Sequence, residues 1–203
     1  MGARPRRKAM GLLLAPGSGA DRTQPALVAI DDAATALGVT VERMDFPYRR
    51  AGRRAPDREP VLLAAVREEA AALVARSGIE PGRLILGGRS MGGRICSMAV
   101  ADGLPALALA LVSYPLHPPG RPERLRTAHF PNLGVPCLFV SGTRDAFGTP
   151  AELEAATAAI PGPVTHVWLE GKDHGLKGAD VRVAAAVTEW MAGLSGRLTP
   201  DGP

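Results

Sequence analysis

One serine in this chain stands where a nucleophile could be made. Gly88-Arg89-Ser90-Met91-Gly92 is a G-x-S-x-G pattern, set directly after an apolar run at 84–87 and directly before a helical stretch at 92–101. The spacing suits a tight strand-to-helix turn that lifts the hydroxyl to the rim of a sheet. Glycines two residues to either side are needed because larger side chains would collide as the backbone folds back. The helix that follows points its N-terminus at the serine, which makes the Met91 amide a candidate oxyanion donor. A serine hydroxyl is a poor nucleophile at neutral pH. It needs a base, and the base needs a carboxylate to orient it. The chemistry in view is acyl transfer.

Four histidines compete for the role of base. His129 lies in a Pro-rich stretch and His166 within an apolar run, both places where histidines usually serve packing. His117 follows the fourth apolar run and stays available. His174, in Glu170-Gly171-Lys172-Asp173-His174-Gly175, falls between the last strand candidate and the last helix candidate. That puts it at the carboxyl edge of a sheet, where ligands bind in open α/β folds. Among the aspartates, Asp102 is carried to the opposite edge by the helix it ends. Asp173 is too close in sequence to reach its neighbour's ring at bonding geometry. Asp145, in Ser141-Gly142-Thr143-Arg144-Asp145, follows the fifth strand candidate and shares the right edge. Ser90, Asp145 and His174 then occur in an order known for such triads, each after a different strand. The second oxyanion amide is expected from the loop after the first strand, Ala15-Pro16-Gly17-Ser18-Gly19, with Ser18 as donor. A phosphate-binding reading of Gly17-Ser18-Gly19 fails because Arg22 stands where a third glycine is needed.

These residues must be positioned by alternating elements. Strands are expected over 11–14, 39–45, 84–87, 107–113, 137–141 and 164–169, and helices over 26–37, 59–76, 92–101, 151–160 and 181–194. Several strands are apolar without alternation, as strands buried on both faces of a parallel sheet read. The pattern predicts a three-layer α/β fold with a minimal open parallel sheet of about six strands and no cap domain. A single domain over 1–203 is expected, with a core at about 9–194 and flexible ends at 1–8 and 196–203. The segment 115–136 is a long proline-rich loop, and loops of that length in small domains are often functional.

Composition narrows the classes further. In 203 residues, 46% are hydrophobic and 22% charged, which excludes a disordered or fibrous chain. The 24 basic residues include only three lysines, Lys8, Lys172 and Lys177, and the arginines are scattered. A net charge of +4 spread this way does not indicate nucleic acid as a partner. No apolar run nears the ~20 residues a membrane span needs, and the basic start meets an apolar stretch too short for a secretion signal. Gly2 is followed by Arg6 where myristoylation needs Ser or Thr. Cys96 and Cys137 read as reduced core residues. A cytoplasmic protein is expected, with no membrane partner; monomer and homodimer stay open.

The chain resembles the α/β-hydrolase superfamily over about 11–194, and within it a small capless branch related to dienelactone hydrolases. The strings that carry the likeness include Leu13-Leu14-Ala15-Pro16-Gly17-Ser18-Gly19, Phe46-Pro47-Tyr48, Arg126-Thr127-Ala128-His129-Phe130-Pro131 and Asp173-His174-Gly175-Leu176-Lys177, beside those already quoted. The resemblance implies a Ser90, Asp145, His174 triad and a sheet lacking the first two strands of larger relatives. Dienelactone hydrolases use a cysteine nucleophile; Ser90 departs from that. The expected activity is cleavage of small carboxylic esters or thioesters through an acyl-serine, needing no metal or cofactor. A non-catalytic interaction module on the same fold and an acyltransferase are the alternatives. For substrate contacts, the loop from Tyr114 is expected to bring His117 near the site. Arg49 and Arg50, after the second strand, are candidates to attract an acidic ester.

Overall fold

Leu12, Leu13 and Leu14 are consecutive and fully buried, so the strand that carries them is covered on both faces. The computed structural model describes residues 9–197 and places this strand inside a six-stranded sheet, one position in from an edge. The strands are β1 (Gly11–Ala15), β2 (Thr40–Arg43), β3 (Leu84–Arg89), β4 (Ala108–Val112), β5 (Cys137–Gly142) and β6 (Val164–Leu169). Their order is β2-β1-β3-β4-β5-β6, and every pair is parallel. Helices α1 (Pro25–Ala36), α2 (Pro47–Arg50), α3 (Glu59–Ser77), α4 (Met91–Ala101), α5 (Pro150–Thr157) and α6 (Asp180–Arg197) make the connections. No inserted domain interrupts this alternation among the described residues.

Two cores follow from the two faces of the sheet. Leu13, Leu86, Leu111 and Phe139 point to one side, where Leu62, Val66 and Leu73 of α3 and Ile95 and Ala99 of α4 cover them. Leu12, Leu14, Ile85, Ala110 and Leu138 point to the other, under Leu27 and Ile30 of α1 and Val183 and Val187 of α6. Each fully buried leucine contributes roughly 1.5–3 kcal/mol relative to exposure. The strand order also has a functional consequence. The chain steps outward from β1 to β2, then crosses back to β3 on the other flank of β1. The carboxyl ends of β1 and β3 are therefore neighbours at a topological switch point, where Ala15 pairs with Gly88. The loop after β1 and the turn after β3 must face each other there.

Departures from the sequence expectation are local. The second strand stops at Arg43 rather than Asp45, because Met44 and Phe46 turn into the core instead of continuing along the sheet edge. Phe46 is extended and Pro47 opens a single helical turn, so Arg49 and Arg50 sit in α2. α5 begins at Pro150 behind a capping box in which Thr149 and Glu152 satisfy each other's backbone donors. The flexible ends expected at 1–8 and 196–203 lie outside the described residues, except 196–197, which continue α6. Both cysteines are free and buried, and burial pushes each thiol up to about 12, so neither is a ready nucleophile.

Candidate active site

The turn after β3 is built on backbone crowding. A Cβ on Gly88 would lie 2.0 Å from the Ala15 carbonyl oxygen, and one on Gly92 would lie 2.2 Å from the same atom. Only glycine lets the turn and α4 press this closely against the end of β1. Ser90 between them holds φ 50 and ψ −116, a conformation that costs a non-glycine residue about 1–3 kcal/mol and persists because both flanks are packed. Its amide donates to the Val112 carbonyl at 2.8 Å, which anchors the turn to β4.

The strained turn aims the Ser90 hydroxyl at the loop after β6. Ser90 Oγ lies 2.8 Å from His174 Nε2. His174 Nδ1 lies 2.8 Å from Asp145 Oδ2 and 3.0 Å from Oδ1. Asp145 is 2% exposed, and its Oδ1 also accepts the Phe147 amide at 2.8 Å. An ionised carboxylate has no proton to give, so Nδ1 donates to it and the Nε2 lone pair faces the serine. The two loops are laced together: the Arg144 amide donates to the Lys172 carbonyl, and the Gly171 amide to Thr143 Oγ1. Phe147 stacks on the imidazole with ring centroids 4.0 Å apart. Arg89 donates to the His174 carbonyl and so ties the histidine loop to the residue before the serine. Asp173 is spent on the Gly175 amide and Asp102 on Arg67, so neither reaches the imidazole.

The two amides expected to face an oxyanion are ones left without a protein acceptor among the described residues. In the loop after β1, Gly17 N–H donates to Gln24 Oε1 and Gly19 N–H to the Tyr48 hydroxyl. The Ser18 amide between them has no protein acceptor among the described residues. Met91 is the first residue of α4, where the backbone offers its amide no intrahelical acceptor. Met91 and Ser18 line the same cavity as Ser90 and His174, a cleft of about 500 Å³ whose wall also includes Arg89, Arg94, Pro115, Arg126 and Phe147.

Four residues expected to contact substrate lie elsewhere. Arg49 pairs with Asp21 at 3.1 Å and Arg50 pairs with Glu69, so α2 spends both charges on carboxylates outside the cavity. Tyr114 is buried against Phe130 and Phe139, and its hydroxyl donates to the Arg126 carbonyl. His117 is buried behind the 145–149 loop, its amide donating to the Phe147 carbonyl and its Nε2 3.6 Å from Glu152. The proline-rich loop does reach the site, but through Pro115 and Arg126. The other histidines are structural. Burial, then the charge of Arg94, lowers His129 to about 4 beside Ser97, and burial lowers His166 beside Thr157. Phe147, Arg94 and Arg126 line the cleft although the sequence does not single them out as site residues. Arg94 had a usable signal, since it lies four residues after Ser90 and so one helical turn beyond it. Among the described residues no group of three or more His, Cys, Asp or Glu side chains could hold a metal ion. No helix there is long and apolar enough to cross a membrane.

A family model described as an alpha/beta hydrolase domain matches residues 8–191. A putative hydrolase of the alpha/beta superfamily from Xanthomonas campestris pv. campestris is 24% identical, with 91% of this chain and 99% of that one covered and a TM-score of 0.68. A dienelactone hydrolase from Anabaena variabilis is 19% identical over 93% and 88% of the two chains, with a TM-score of 0.73. Est1E from Butyrivibrio proteoclasticus is 15% identical over 94% and 90%, also with a TM-score of 0.73. At these identities the three structures share the fold.

Proposed function

Because the chain belongs to the alpha/beta hydrolase domain family, we propose that it is a serine hydrolase cleaving small carboxylic esters or thioesters, with Ser90, His174 and Asp145 as its catalytic triad. The observation that carries this reading is the unbroken line of hydrogen bonds from Ser90 Oγ through the imidazole to the buried Asp145 carboxylate. In the first half-reaction Ser90 Oγ bonds to the acyl carbon while its proton passes to His174 Nε2. The carbonyl oxygen becomes an oxyanion facing the Met91 and Ser18 amides. Collapse breaks the bond to the leaving oxygen or sulfur, which takes the proton from Nε2. Water then repeats the sequence: it loses a proton to His174, attacks the acyl-serine, and releases a carboxylic acid with Ser90 restored. Asp145 stabilises the imidazolium formed in each half without itself being protonated. The two buried thiols support placement in the reducing cytoplasm.

A common acyl-enzyme has a kinetic signature that also separates hydrolysis from transfer. With methanol added, p-nitrophenyl acetate, phenyl acetate and an ethyl thioester of acetate should give one ratio of methyl acetate to free acetate. The leaving group has departed before the acceptor chooses. A ratio that changes with the leaving group contradicts the acyl-Ser90 intermediate.

A further inference from the structure

The cavity that holds Ser90 is lined by three arginines, Arg89, Arg94 and Arg126, and by no carboxylate. They are not equivalent. Arg89 is committed to the His174 carbonyl and feels the opposite charges of Asp145, Asp173 and Asp180. Arg94 spends one terminal nitrogen on Glu59, at 3.1 Å, and on the Met98 sulfur, at 3.2 Å. Arg126 makes one long contact, 3.5 Å to the Pro115 carbonyl, and forms no ion pair with a described carboxylate. Burial and the neighbouring charge of Arg94 both oppose its positive form. Two guanidinium groups thus face one cleft and repel each other, an arrangement that favours an anion between them. A guanidinium fork matches the two oxygens of a carboxylate better than any other common side chain does. The loop holds this fork in place at backbone level, since the Tyr114 hydroxyl binds the Arg126 carbonyl and the Arg126 amide binds the Leu116 carbonyl.

We propose that the substrate is an acidic ester: besides the bond cleaved at Ser90 it carries a carboxylate, which Arg126 and Arg94 hold. This rests on the hydrolase reading above and names the substrate class for the same site. The positive cleft draws the anion in, and the fork fixes its distance from the scissile carbonyl. Neutral esters of equal size lack that anchor.

The carboxylate can sit on the acyl side or the leaving side, and two matched pairs of probes distinguish these. Monoethyl glutarate against ethyl 5-methylhexanoate tests the acyl side; 3-acetoxypropanoate against 3-methylbutyl acetate tests the leaving side, each neutral member carrying an isopropyl group in place of the carboxylate. For at least one pair, kcat/KM should favour the acidic member at least tenfold, with the preference shrinking as salt rises. Arg126→Gln should reduce that ratio at least tenfold and Arg126→Lys by less, with Arg94→Gln as the second variant should the first not fold. Binding is read independently of turnover by calorimetric titration of the Ser90→Ala protein with the same four compounds. An acidic member should bind at least tenfold more tightly than its neutral counterpart, and Arg126→Gln should remove the difference. Equal kcat/KM and equal binding within both pairs, or a preference untouched by either arginine variant, overturns the proposal. Neutral esters still cleaved in a Ser90-dependent way would then leave the hydrolase reading standing. Selective binding without any cleavage would do the reverse.

Discussion

Ser90→Ala is expected to lower kcat for a small ester by about 10⁶-fold, the scale on which serine hydrolases fall when the nucleophile is removed. The magnitude follows from there being no substitute: Ser90 Oγ is the hydroxyl that meets His174 Nε2, at 2.8 Å. What remains is binding and the oxyanion amides, which do not need the hydroxyl. Steady-state kinetics with p-nitrophenyl acetate measures the loss, and thermal unfolding shows that it is chemical rather than structural. Alanine keeps a Cβ at the same φ of 50, so its Tm should match that of the unaltered protein. Glycine at position 90 is equally inactive but relieves the backbone, and its Tm should rise by a few degrees. Loss of activity with a gain in stability is the mark of strain held for the sake of the nucleophile. A Ser90→Ala protein that keeps more than a hundredth of the activity would mean another nucleophile.

Asp145→Asn is expected to give the second large effect, about 10⁴-fold in kcat with the fold intact. The direction is set by the neighbours of the carboxylate. Oδ1 accepts the Phe147 amide at 2.8 Å, so the oxygen of an asparagine stays there and its NH₂ takes the place of Oδ2, 2.8 Å from His174 Nδ1. Facing a donor, Nδ1 must be the unprotonated nitrogen, and the proton moves to Nε2. The imidazole then offers a hydrogen to Ser90 where a lone pair is required. Stopped assays at high enzyme concentration should show kcat reduced and KM within a few-fold, since the cleft itself is unaltered. A loss confined to KM would contradict the tautomer argument.

How much of this could be read from the chain depends on how local each determinant is. The sheet is legible because each strand announces itself: Leu12 to Leu14 and Leu138 to Val140 are unbroken apolar runs, and a parallel sheet is the place for such runs. The turn at Ser90 is legible for the same reason, its glycines answering to contacts that any strand-to-helix turn of this kind must make. Asp145 and His174 can be placed at one edge because each follows a strand. Side-chain fate is another matter. Arg49 finds Asp21, 28 residues earlier, and Arg50 finds Glu69, 19 residues later; no local pattern reveals either partner. His117 is turned inward by the Phe147 carbonyl that its own amide binds. Arg126 lies in a loop without periodicity, placed by a hydroxyl twelve residues before it. Residues positioned by long-range hydrogen bonds are those the sequence leaves open.

Every step proposed for this site requires Ser90 to be activated by the imidazole of His174. An activity-based fluorophosphonate probe tests that directly, because it phosphonylates only a serine whose base is in place. Incubation of the folded protein, followed by proteolysis and peptide mass mapping, should place the adduct on Ser90. The adduct should be absent from the Ser90→Ala protein and strongly slowed in His174→Ala. No labelling of the unaltered protein, or labelling that survives in Ser90→Ala, would contradict it.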